Sequence, residues 1–125
     1  MGVEMGQGTI LVVDDDQAIL DFITEALQDD GYQVVTAVGA GALPVAADHQ
    51  PDCILLDLQM PGMDGVEVSR RLRDQVATAN IPIIVMSAKD RLKATTSHMQ
   101  INDQLPKPFG LAQLYAVVKR WSGAA

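Results

Sequence analysis

The stretch Thr9–Leu20, TILVVDDDQAIL, runs four apolar residues, Ile10 to Val13, without a spacer into three aspartates, Asp14, Asp15 and Asp16. The apolar run reads as a buried strand. Carboxylates set side by side repel one another and raise each other's pKa unless a cation or strong donors neutralise them. Directly after them Ile19, Phe22, Ile23, Ala26 and Leu27 are spaced as one face of a helix, which DDG at Asp29–Gly31 should stop. A strand therefore ends in concentrated charge, and a helix begins from it.

The same alternation continues along the chain. YQVVTA reads as a second strand, and ALPVAADHQ as a short helix in which Pro44 is tolerable only near the first turn. DCILLD is a continuous apolar run of the kind buried on both faces of a parallel sheet. Its helix is expected to start near Asp64 and to carry Val66, Ser69, Leu72 and Val76 inward. IPIIVMS supplies a fourth strand, followed by a weaker helical stretch from Lys89 to about Met99. INDQL is the fifth strand, and Leu111, Leu114, Val118 and Trp121 mark a last helix. Five strand–helix units predict an α/β doubly wound parallel sheet with five helices on its two faces and right-handed crossovers.

The chain has 125 residues, the size of one ordinary domain. The expected organisation is a loose lead-in over 1–8 (MGVEMGQG), a folded unit over 9–122 and a short tail over 123–125. Nine basic against sixteen acidic residues give a net charge of −7, so most of the surface repels a polyanion and direct nucleic-acid binding is not expected. The single cysteine, Cys53, lies within CILLD and reads as a small buried hydrophobe, which excludes a disulfide framework or a zinc cluster. No segment approaches the roughly 18 apolar residues a transmembrane helix needs, so the reading is a cytoplasmic chain without a membrane role.

In open parallel sheets ligands bind beyond the carboxyl ends of the strands, where the strand order reverses. Asp14 to Asp16 end the first strand, Asp57 the third and Ser87 the fourth, while Lys107 follows the fifth. In the small doubly wound order 2-1-3-4-5 the first and third strands are neighbours, about 4.8 Å apart, which puts Asp57 beside Asp14 and Asp15. Clustered carboxylates suit a hard divalent cation such as Mg²⁺, which prefers oxygen ligands and is commonly held by one or two carboxylates plus a phosphate. With the Lys107 ammonium and the Ser87 hydroxyl nearby, the set is the one needed to move a phosphoryl group onto an aspartate. An already ionised carboxylate needs no base, so catalysis would be alignment and charge neutralisation.

Through ILVVDDD, DLQMPGMDG, VMSA and LPKPF, in that order over Thr9–Ser122, the sequence resembles the response-regulator receiver domain of two-component signalling. The resemblance implies a flavodoxin-like sheet of order 2-1-3-4-5, Asp57 as phosphoacceptor, and Asp14 and Asp15 as the acidic pair. It further implies Asp15 and Asp57 as direct Mg²⁺ ligands, with the backbone carbonyl of Gln59 completing the protein's share. Lys107 would pair with the phosphoryl oxygens, the Lys107–Pro108 bond would be cis, and the Ser87 hydroxyl would contact the phosphoryl group. The phosphoryl donor would be a phosphohistidine on a histidine kinase or histidine phosphotransfer protein, and the output an unidentified partner or output domain. No separate enzymatic activity is expected beyond self-phosphorylation and autodephosphorylation.

Plainer readings compete at several positions. Asp16 suits a helix N-cap; Ser87 with Asp90 suits a capping box; Pro61 and Gly62 form a tight bend that Asp57 could cap. His49 and His98 lack partners at ligand spacing and read as surface residues. GAGAL at Gly39–Leu43 follows the second strand and has Pro44 where a dinucleotide turn would place its third glycine. A flavin protein on the same topology would need a glycine- and hydroxyl-rich phosphate loop where three aspartates stand. The chain also departs from the receiver pattern. Gln104 stands where an aromatic residue usually precedes the lysine by three, Gln100 and Ile101 replace a small turn, and the interval from Ser87 to Lys107 is short. These departures leave open a receiver-like module that docks a partner irrespective of phosphorylation.

Overall fold

The computed structural model describes residues 8–60, 64–88 and 99–123. In chain order these form β1 (Thr9–Val13), α1 (Gln17–Asp29), β2 (Gln33–Ala37), a 3₁₀ turn (Gly39–Gly41), α2 (Ala42–His49), β3 (Cys53–Asp57), α3 (Gly65–Asp74), β4 (Ile83–Ala88), β5 (Asp103–Lys107) and α4 (Leu111–Trp121). All neighbouring strands are parallel, and the sheet order is β2-β1-β3-β4-β5. This is the flavodoxin-like order expected from the sequence. Four α-helices lie among the described residues; the helical stretch expected from Lys89 lies outside them up to His98, as do the bend at Pro61 and Gly62, Asp90 and most of the lead-in. Among the described residues no helix is long and apolar enough to cross a membrane.

Alternation within the strands builds two cores. Ile10, Val12, Cys53, Leu55, Ile84, Met86 and Leu105 pack against α1 and α4 through residues such as Ile23, Leu27, Leu114 and Val118. Leu11, Val13, Ile54, Leu56, Ile83 and Val85 face the other way, against Ala42 and Ala46 of α2 and Val68 and Leu72 of α3. Every residue of β3 is buried, which is why its sequence reads as an unbroken apolar run.

Helix starts follow local chemistry. Asp16 caps α1, its Oδ1 accepting the Ala18 N–H at 2.9 Å and the Ile19 N–H at 3.4 Å. Asp64 does the same for α3, accepting the Glu67 N–H at 2.9 Å. Pro44 sits in the first turn of α2, where no intrahelical donor is lost.

Three inward faces differ from expectation. Phe22 is 41% exposed and packs beside Phe109, with ring centroids 6.3 Å apart, while Leu20 takes its place in the core. Val66 and Val76 are exposed, because α3 buries Gly65, Val68, Ser69 and Leu72 and ends at Asp74, two residues short of Val76. In α4, Leu111 is exposed and Val117 is buried instead. β5 also begins two residues later than INDQL suggests. Asn102 is spent on Ile83, donating its N–H to the Ile83 carbonyl at 2.8 Å and accepting the Ile83 N–H on Oδ1 at 2.9 Å. The strand then runs through Pro106 to Lys107, which a proline permits because β5 is an edge.

Candidate functional site

The carboxyl ends of β1, β3, β4 and β5 lie together because the sheet is parallel throughout. Val13 is level with Leu56, Asp57 with Met86, Ser87 with Pro106 and Ala88 with Lys107. The next residue of β1 is therefore brought to the last residue of β3. One carboxylate oxygen from each of Asp14, Asp15 and Asp57 lies within 4.8 Å of the others. The structure thus brings together acids 42 and 43 positions apart in sequence.

Their environments differ. Asp14 is wholly buried and both its oxygens are engaged: Oδ1 accepts the Asp16 N–H at 2.9 Å, and Oδ2 accepts the Lys107 ammonium at 3.1 Å. Asp57 is buried as well, its Oδ1 accepting the Gln59 N–H at 3.3 Å and lying 3.4 Å from Lys107 Nζ. Asp15 is exposed and offers its carboxylate to solvent at the mouth of the cluster. An all-oxygen donor set of two buried acids and one open one fits a hard cation such as Mg²⁺.

Burial, followed by the charge of Asp14, raises the Asp57 pKa above the ordinary carboxylate value, and these outweigh the opposing pull of Lys107 and of the Gln59 N–H. Burial works against the Lys107 ammonium, but the hydrogen bond to Asp14 and the two neighbouring carboxylates prevail and raise its pKa. Lys107 is thus held as a cation between two acids. The Lys107–Pro108 bond is cis, as the resemblance implied. Ser87 is buried level with Pro106 near the end of β4, and its Oγ has no hydrogen-bond partner among the described residues, so its donor is unspent. Gln59 is exposed two residues past the end of β3.

The remaining positions take plainer roles. Asp16 is the α1 cap. Cys53 is fully buried in β3, and burial, with the Asp52 charge behind it, pushes its thiol up to about 12, which makes it inert packing. His49 is exposed at the end of α2, and His98 lies outside the described residues. Gly39–Gly41 form the 3₁₀ turn leading into α2. Gly65 escaped the sequence reading: it is buried against the Asp57–Leu58 backbone. Its only trace was its place after Asp64 in the MDG triplet.

The response-regulator receiver domain family model matches residues 10–119, nearly the whole described fold. The chain belongs to this receiver family. Among curated proteins, the response regulator MprA of a Mycobacterium species is 40% identical over 110 residues, which is 86% of this chain and 47% of that protein. The transcriptional regulatory protein KdpE of Mycobacterium tuberculosis is 42% identical over 125 residues, 93% of this chain and 53% of that protein. The chain spans about half the length of these curated relatives. Among solved structures, the receiver domain of a sensor histidine kinase from Pseudomonas aeruginosa, whose active-site cleft coordinates a magnesium ion, superposes with a TM-score of 0.86 at 30% identity, covering 93% of this chain and 98% of that one. The chemotaxis response regulator CheY4 of Vibrio cholerae gives 0.83 at 30% identity, with 90% and 96% covered.

Proposed function

We propose that this receiver unit, residues 9–122, accepts a phosphoryl group from the phosphohistidine of a histidine kinase or histidine phosphotransfer protein onto Asp57. The observation that carries this reading is the juxtaposition of Asp57 with Asp14, Asp15 and the Lys107 ammonium at one end of the sheet. A carboxylate oxygen of Asp57 attacks phosphorus, the P–N bond to the donor imidazole breaks, and the imidazole nitrogen takes the electron pair. Hydrolysis later returns inorganic phosphate and the free carboxylate.

Asp15, Asp57 and the Gln59 carbonyl would hold Mg²⁺, which when bound neutralises charge between the acids and the incoming phosphoryl oxygens. Asp14, with both oxygens already engaged, supports the site by holding Lys107 and by its charge. Lys107 is poised to leave Asp57 for a phosphoryl oxygen without leaving Asp14. The Ser87 hydroxyl, unspent in the free state, is the second donor for that group. Both groups act by position.

Output runs through protein contacts, in the cytoplasm, to a partner or to a domain beyond this unit; the acidic surface argues against direct nucleic-acid binding by the receiver. Gln104 is exposed on β5, so any signal relayed there works without a rotating aromatic ring. Incubation with acetyl phosphate and Mg²⁺ should add one phosphoryl group by intact mass, and Asp57→Asn should abolish the addition. Persistence of the adduct in Asp57→Asn would move the acceptor elsewhere, and no adduct on the wild-type chain would leave only a docking role independent of phosphorylation.

A further inference from the structure

Gly65 opens α3, yet its surroundings belong to β3. A Cβ built on it would lie 2.3 Å from the Asp57 carbonyl oxygen, 2.7 Å from Leu58 Cα and 3.0 Å from the Asp57 carbonyl carbon. These are backbone atoms, so no side-chain rotation relieves the overlap. The Gly65 N–H donates to the Leu58 carbonyl at 3.1 Å, while the Leu58 N–H donates to the Met86 carbonyl at 3.1 Å. Leu58, the residue following Asp57, is therefore held from two sides, its N–H by β4 and its carbonyl by the first residue of α3. The Asp57 side chain is fixed in turn by the Gln59 N–H and by Lys107.

From this packing we infer that Gly65 is a positioning residue for Asp57, setting the acceptor carboxylate through direct contact of α3 with the Asp57–Leu58 peptide. The inference rests on the proposed phosphoacceptor role of Asp57. A methyl group at position 65 forces that peptide or α3 to move by on the order of 1 Å to restore ordinary contact, and a displacement of that size at a reacting centre costs up to about a hundredfold in rate. Gly41 is the internal control. Its backbone is helical at φ −59°, and a Cβ there would meet nothing within 4 Å.

The test compares wild type, Gly65→Ala and Gly41→Ala, each well below its own unfolding temperature, for phosphorylation by acetyl phosphate with Mg²⁺. Gly65→Ala should lower the maximal rate roughly 10- to 100-fold while the half-saturating acetyl phosphate concentration moves far less. Gly41→Ala should match wild type. A Gly65→Ala protein that melts earlier but keeps the wild-type maximal rate overturns the inference and leaves the phosphoacceptor reading standing. A wild-type chain that takes up no phosphoryl group removes both. Should Gly65→Ala fail to fold, the wild-type Gly65 amide resonance decides: a shift on phosphorylation comparable to that of Leu58 supports the contact, and an unmoved resonance overturns it.

Discussion

At the scale of single residues, the site holds a carboxylate where the fold alone would not choose one. The folded-state pKa of Asp57 lies above its ordinary value of 3.8, because burial and the Asp14 charge disfavour the ion more than Lys107 favours it. A group whose pKa is raised by folding contributes stability that is complete below the unfolded value and is lost as pH rises through the folded value. At neutral pH, without divalent cations, ionised Asp57 therefore works against the fold. Asp57→Asn should raise the melting temperature at pH 7 in a chelating buffer, by roughly 4 °C per kcal/mol relieved in a domain of this length. The gain should shrink towards pH 3.5, where Asp57 is protonated and the substitution changes little. A lower melting temperature for Asp57→Asn at pH 7 would mean that Lys107 outweighs burial and the Asp14 charge together.

At the scale of elements, α3 does more than cover the sheet. Its Arg73 guanidinium reaches the carbonyls of Gln100 at 2.9 Å, Ala79 at 2.9 Å and Ile81 at 2.7 Å, and Asn102 Oδ1 at 2.8 Å. One side chain thereby ties the helix to the chain entering β4 and β5. Arg73→Ala should cost about 2 kcal/mol, lowering the urea midpoint with little change in slope, since several acceptors lose a charged donor at once. Arg73→Lys should recover little of this, because an ammonium cannot span the planar fork. Full recovery by lysine would reduce the interaction to charge alone. Arg73 was silent in the sequence for the same reason as Gly65: its importance lies in acceptors that only the folded chain brings to it. What could be read in advance was local. Apolar runs marked the strands, Asp16 and Asp64 marked helix starts, and the acidic and lysine motifs marked residues that the strand ends bring together. Periodicity misplaced Val76, because it cannot see that α3 stops at Asp74, and β5 came late, because Asn102 is engaged with Ile83 before the strand begins.

At the scale of the whole molecule, the sheet is a device for holding repelling charges close. Its two cores pack β1 and β3 side by side, and one carboxylate oxygen from each of Asp14, Asp15 and Asp57 lies within 4.8 Å of the others. A chain of net charge −7 bears that repulsion in addition to its diffuse surface charge. A cation bound between β1 and β3 favours only the folded chain, since unfolding scatters its ligands. Stability should then rise as RT ln(1 + [Mg²⁺]/Kd), about 2.7 kcal/mol at a hundredfold excess over Kd, or roughly 10 °C in melting temperature. Diffuse screening would instead act through ionic strength and would be matched by NaCl. The two are separated by melting the protein in MgCl₂ and in NaCl of equal ionic strength. Wild type should gain several degrees in Mg²⁺ beyond NaCl, whereas Asp15→Asn, which removes the open carboxylate and leaves the buried Asp14–Lys107 pair in place, should lose most of that excess. An equal gain in both salts, or an excess that survives in Asp15→Asn, would show that the cation acts on the surface at large and not between the strand ends.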